Sequence, residues 1–145
     1  MKLIYISAFV SLFFNFLLHY NFFPQLLKYQ GGNEMAKRMK EEKMNIPDSS
    51  IMLIETHAHS FDYYLGYCHP VAPIETFEND YPGIKDKYFL IALRDKNLLQ
   101  EKGFRIEPVI SQPDYNVSKM SLRFLSEEGR SKKMDTLMLA RIYKP

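Results

Sequence analysis

Apolar and polar positions divide this chain into two unlike parts. No Lys, Arg, Asp or Glu occurs from Leu3 to Gln25, and six of the eleven Phe fall within the first 23 positions. The 21 residues Leu3–Phe23 would form a helix about 31 Å long at about 1.5 Å per residue, which matches the hydrocarbon thickness of a bilayer. Ser7, Ser11, Asn15, His19 and Asn21 interrupt the run. Ser11, Asn15 and His19 are spaced by four and share one helix face. A helix surrounded only by lipid has little use for such a stripe, whereas one packed on other membrane helices can bond a neighbour through it. Tyr20, Phe22 and Phe23 stand where an interfacial aromatic belt belongs, and Pro24 is expected to end the helix. A cleaved signal peptide is the rival reading. Against it, Lys2 is a thin basic region, the apolar run is long, and no small-x-small cleavage site follows.

Beyond Gln25 the pattern becomes that of a water-soluble domain. Residues 31–44 are good helix formers after a flexible Gly31–Gly32. Glu34–Arg38 and Lys37–Glu41 are spaced i,i+4, and Met35, Ala36 and Met39 make only a narrow apolar stripe. This predicts a solvated helix just outside the membrane, ended by Asn45-Ile46-Pro47-Asp48. Ile51–Ile54 reads as a buried strand and Ser60–Tyr67 as a short helix with Ser60 as N-cap. Val71–Phe77 reads as a strand made irregular by Pro70 and Pro73, and Glu78–Asp86 as turns. Tyr88–Leu93 predicts a strand, followed by a helix with Asp95 as N-cap, Leu98 and Leu99 inward, and Gly103 just past its end. Phe104–Ile110 is a further strand that breaks at Gln112-Pro113. Val117–Leu125 fits either a strand or a helix, and Leu137–Tyr143 is the last strand. Strands alternating with short helices predict an α/β fold: one N-terminal transmembrane helix followed by a small α/β layer domain with a mixed, partly parallel sheet. The expected division is 1–24 transmembrane helix, 25–48 juxtamembrane helix and linker, and 49–145 small α/β domain.

The 145 residues suffice for one such domain and exclude a barrel enzyme of about 250 residues. Of the 36 charged residues, 35 lie in 28–145, and the net charge is +2. That balance carries no electrostatic footprint for nucleic acid, so no nucleic-acid partner is expected. A single cysteine, Cys68, excludes an internal disulfide and a Cys-rich zinc module. Lys28, Lys37, Arg38, Lys40 and Lys43 outnumber Lys2. Taken on this chain alone, the positive-inside rule would therefore place the polar part in the cytoplasm.

Candidate chemistry centres on Glu55-Thr56-His57-Ala58-His59, with Cys68-His69 beyond it. A His-x-His after a strand is how metal-dependent amidohydrolases open a binuclear site, with both imidazoles projecting from one strand edge. Such a site needs further His and Asp ligands from later strands, and no histidine follows His69. The competing reading is a polar loop with partly exposed histidines and a buried Cys68. Cys68 and His69 are sequence neighbours, which seldom face each other. Ser60 and Ser126 lack a G-x-S-x-G context, and no dinucleotide or Walker A loop occurs. Asn116-Val117-Ser118 matches a glycosylation sequon, a pattern common by chance. Phe61, Tyr63, Tyr64 and Tyr67 suit sugar binding, and suit packing of a short helix on a sheet equally well. No residue is thereby assigned a catalytic, cofactor-binding or metal role, and no cofactor is expected.

The segments "NFFPQLLKYQGG", "NEMAKRMKEEK", "SFDYYLGY", "HPVAPIE" and "DKYFLIALRDKNLLQEKGF" occur in that order. Together, from about Phe13 to Tyr143, the chain resembles the C-terminal end of multi-span bacterial glycosyltransferases that use polyprenyl-phosphate-linked sugars. These are the protein-mannosyltransferase and aminoarabinose-transferase type, of the membrane GT-C architecture. The resemblance implies a last membrane helix leading into a periplasmic α/β domain at the bacterial inner membrane. It also implies that the catalytic carboxylate sits in an early external loop to which nothing here corresponds, so the chain is a non-catalytic segment on its own. Its partners would be membrane lipid and the remaining membrane helices of a parent glycosyltransferase. Those helices would set the topology and so remove the conflict with the basic flank. Two other readings remain: a free-standing membrane-anchored module that binds a partner or saccharide, and a small metal-dependent hydrolase using His57 and His59.

Overall fold

In the computed structural model, which describes residues 2–56, 58–115 and 134–144, the apolar head is helical well past Pro24. Helix α1 (Lys2–Leu17) passes through one π turn (Leu18–Phe22) into α2 (Phe23–Leu27). Pro24 has no N–H for the Tyr20 carbonyl, and its ring crowds that carbonyl. The helix widens there instead of stopping: the Phe23 N–H reaches the Leu18 carbonyl, five residues back. The expected stop at Pro24 is thus corrected. Lys2–Leu27 is a 26-residue helix with mean hydropathy 1.7 over its apolar window, none of which is buried. At about 1.5 Å per residue it is about 39 Å long, long and apolar enough to cross a membrane. Along its polar stripe the side chains bond back to their own helix. Asn15 Nδ2 donates to the Ser11 carbonyl at 3.0 Å, and His19 Nδ1 donates to the Asn15 carbonyl at 2.9 Å.

The polar part is a five-stranded sheet in the order β2-β1-β3-β5-β4. After α3 (Gly31–Glu41) come β1 (Ile51–Ile54), α4 (His59–Leu65), β2 (Val71–Ala72), α5 (Phe77–Ile84), β3 (Tyr88–Ala92), α6 (Leu93–Glu101), β4 (Arg105–Asp114) and β5 (Asp135–Tyr143). β1 pairs in parallel with β2 on one side and β3 on the other, while β5 is antiparallel to both β3 and β4. The carboxyl ends of β1 to β4 and the start of β5 therefore share one edge of the sheet. From β1 the chain steps one way through α4, and from β2 it steps back past β1 through α5. Right-handed crossovers running in opposite directions place their helices on opposite faces. Accordingly, Met35, Ala36 and Met39 of α3 and Phe61 of α4 pack with Ile51, Leu53, Leu90 and Leu139 on one face. Phe77 of α5 and Leu99 of α6 pack with Ile54, Phe89, Ile91 and Ala140 on the other. The α/β fold with a mixed, partly parallel sheet is the one expected.

Several local expectations are corrected. α3 is no solvated appendage, because Met35, Ala36 and Met39 are buried in the core. One narrow stripe is enough for a helix that covers one sheet face. Gly31 and Gly32 are not a flexible hinge but close-packing positions. A Cβ on Gly31 would lie 2.8 Å from Asp114 Cβ, and one on Gly32 would lie 3.0 Å from Ser60 Oγ. The strand expected over Val71–Phe77 ends at Ala72, and Phe77–Ile84, expected largely as turns, is helical. Pro73 cannot extend the ladder, and Glu78 and Asp80 favour a helix start. α6 begins at Leu93 with Ala92 as N-cap, so Asp95 lies in its first turn; Leu99 is buried but Leu98 is 47% exposed. Ser60 likewise is not a cap, since α4 begins at His59 after Ala58. β4 continues through Gln112-Pro113 to Asp114, because an edge strand tolerates proline. Gly103, at φ +85, follows α6 as expected. Val117–Leu125 lies outside the described residues.

Candidate functional site

The strand order sets where a ligand crevice can form. β1 and β3 are parallel neighbours whose continuations leave toward opposite sides of the sheet, and such a switch point is where open α/β sheets place a ligand crevice, beyond the carboxyl ends of the two strands. Glu55 and Thr56 leave β1 there, and α6 starts directly from β3 with Arg94 and Asp95 in its first turn. Glu55 takes φ +52, a left-handed conformation that costs a non-glycine residue of order 1 kcal/mol. Two hydrogen bonds hold it: the Glu55 N–H donates to the Ala72 carbonyl at 3.3 Å, and the Ile74 N–H donates to Glu55 Oε1 at 2.9 Å.

Carboxylates gather along this edge. Asp95 is 6% exposed; one of its oxygens lies 3.5 Å from Arg94 Nε and the other has no partner among the described residues. Burial pushes its carboxyl up from 3.8, Arg94 opposes that, and the negative Glu55 and Asp135 reinforce it. Asp114, paired across the ladder with Asp135, is also pushed up by burial, against the pull of the Gly31 N–H that it accepts at 2.8 Å. In the first turn of α3, Asn33 is buried, and its Oδ1 has no partner among the described residues. The edge is therefore rich in acceptors. It suits a partner that donates hydrogen bonds and disfavours a bare phosphate. Asp95, expected as a cap, belongs to this cluster, and Asn33, Asp114 and Asp135 join it without a local sequence motif. The readable signal was an acid just after β1, in the first turn after β3, at the end of β4 and at the start of β5.

The histidine motif does not assemble. His57 lies outside the described residues. α4 carries the chain from the carboxyl edge to the amino edge, so His59 and His69 stand at opposite edges of the sheet. Among the described residues, no three His, Cys, Asp or Glu side chains could hold a metal ion together. His69, expected to be partly exposed, is buried. Its Nδ1–H donates to Asp62 Oδ1 at 2.6 Å, and its ring sits between Phe61 and Tyr67 at 5.2 and 5.0 Å. Its Nε2 is buried with no partner among the described residues, so the pair ties α4 to the start of β2 and presents no base to solvent. Cys68, expected buried, is exposed. Of the aromatic group, Phe61 is core, Tyr63 is 84% exposed, and Tyr64 and Tyr67 are partly exposed. Ser126 and Asn116-Val117-Ser118 lie outside the described residues. Comparison of the chain with protein-family models, with curated proteins and with solved structures finds no match in any of the three.

Proposed function

We propose that this chain is the terminal membrane span and periplasmic domain of a lipid-linked-sugar glycosyltransferase, a segment that caps the membrane part and does no chemistry alone. One observation carries the reading. A 26-residue apolar helix, bare of contacts along its apolar window, bears the stripe Ser11, Asn15 and His19 and runs directly into an α/β domain. Asn15 and His19 each use one donor on their own helix, and their remaining polar atoms facing lipid are a cost that sibling helices would remove. The order of quoted motifs adds the family, in which the catalytic carboxylate belongs to a loop outside this chain.

The test is site-directed photo-cross-linking in bacterial membranes. A photoreactive residue at Ser11, Asn15 or His19 is expected to capture a multi-span polypeptide, and the same residue at Phe9 or Phe13, on the opposite helix face, is not. The captured complex should transfer sugar from a polyprenyl-phosphate donor. Adducts to lipid only, or an equal yield from both faces, would overturn the reading. A second reading, a membrane-anchored saccharide-binding module, is favoured by the exposed ring of Tyr63 beside Tyr64. It predicts glycan binding by the isolated chain, lost in Tyr63→Ala.

A further inference from the structure

The way the span joins the domain decides which part of the domain meets the membrane. Only Lys28, Tyr29 and Gln30 separate α2 from α3. They continue the helical path in tight turns, with Tyr29 N–H donating to the Leu26 carbonyl at 3.1 Å and Gln30 N–H to the Leu27 carbonyl at 3.0 Å. This junction is bonded to the end of β4 twice. Tyr115 N–H donates to the Tyr29 carbonyl at 2.8 Å, and Gly31 N–H donates to Asp114 Oδ1 at 2.8 Å. Between them Gly31 fits against Asp114 and the Pro113 carbonyl with no room for a Cβ. The span thus leaves the domain from the carboxyl edge of the sheet, through a joint fixed on two sides and without a slack linker. α3 then carries the chain away from that joint, so the amino edge is the far end.

We infer that the carboxyl edge of the sheet, with the β1–β3 crevice, faces the headgroup layer of the bilayer that the span crosses. This inference rests on the span entering a bilayer and does not need the glycosyltransferase reading. It means that a ligand of this edge arrives from the membrane surface, as the polar head of a lipid-borne molecule, and that Glu55 and Asp135 face its hydroxyl or amino donors. The exposed loop around Cys68 leads into the start of β2, which is parallel to β1, and so lies at the opposite edge. Thr56 lies beyond the last residue of β1, at the carboxyl edge.

The experiment uses the full chain in phosphatidylcholine vesicles containing a headgroup nitroxide lipid, with one fluorophore per molecule. Cys68 itself is the far probe. Arg94→Cys, whose side chain is 70% exposed, and Thr56→Cys are the near probes, each in a Cys68→Ser background. Nitroxide quenching falls steeply with distance, so both near probes are expected to be quenched at least threefold more than Cys68. Circular dichroism checks that each variant is folded, and either near probe suffices. Equal quenching at the two edges, or stronger quenching at Cys68, would overturn the inference. Release of the chain from the vesicles by alkaline carbonate would instead remove its premise and the glycosyltransferase reading with it.

Discussion

Replacing Gly31 with alanine probes the joint between span and domain. Gly31 is the first residue of α3, and an added Cβ would lie 2.8 Å from Asp114 Cβ and 3.0 Å from the Pro113 carbonyl oxygen. Carbon atoms in contact prefer about 3.5–4.0 Å, so the methyl group must push β4 and α3 apart. Overpacking of this kind costs about 1–3 kcal/mol. The displacement also strains the Gly31 N–H to Asp114 bond, which as a bond to a carboxylate contributes about 1.5 kcal/mol or more. Alanine's better helix propensity returns at most about 1 kcal/mol. The net loss is then about 2–3 kcal/mol. In urea, with a slope of about 1.5 kcal/mol per molar for a domain of this size, the unfolding midpoint should fall by about 1.5–2 M. Ten tyrosines and no tryptophan make tyrosine fluorescence in detergent micelles a suitable readout. Gly83 is the control: it lies in α5 with nothing within 4 Å of an added Cβ. Gly83→Ala should leave stability unchanged or raise it by up to about 1 kcal/mol. If Gly31→Ala unfolds at or above the wild-type midpoint, the joint is not close-packed and the argument for a fixed span fails.

Other perturbations follow from the same contacts. Asp95 carries a folded pKa raised above its unfolded value of 3.8, so the folded state holds that proton more tightly. Its contribution to stability is therefore fully present below pH 3.8 and is lost as pH rises through the folded value. Asp95→Asn should flatten that decline and gain about 1 kcal/mol at neutral pH by removing a buried charge, measured by urea unfolding across pH; a loss at neutral pH would contradict it. Leu99→Ala should cost about 2–5 kcal/mol and Leu98→Ala under about 1 kcal/mol, since only Leu99 is buried. Tyr81 donates to the Ile142 carbonyl at 2.8 Å and accepts from the Lys144 N–H. Tyr81→Phe should cost about 1 kcal/mol, read as a lowered thermal midpoint.

What could be read in the sequence was what depends on local chemistry. Ile51–Ile54, Tyr88–Ala92 and Leu137–Tyr143 are apolar runs rich in strand formers, and all three are central strands. Gly103 announced the end of α6 through its left-handed conformation. α3 was misread because Lys37, Arg38, Lys40, Glu41 and Glu42 dominate its composition, while the three apolar residues that decide its position are outnumbered. Gly31-Gly32 looked like a hinge because glycine serves both flexibility and close approach, and only the neighbours across the fold distinguish the two. The same holds for Pro24, whose effect is a π turn because the helix on either side keeps its bonds. The candidate site was hidden for another reason. Glu55 and Asp95 are far apart in the chain and meet through the parallel pairing of β1 with β3, while Asp135 joins Asp95 and Asp114 because β5 inserts antiparallel between β3 and β4. Strand order is not written in any local pattern.

The central claim is that Lys2–Leu27 lies in a bilayer and carries the α/β domain as its water-side part. Alkaline carbonate extraction of membranes containing the full chain tests this directly, with the mass of the recovered protein showing that its amino end is uncut. The account predicts that the intact 145-residue chain stays in the membrane pellet and is released only by detergent. Its recovery, uncut, in the carbonate supernatant would contradict the account.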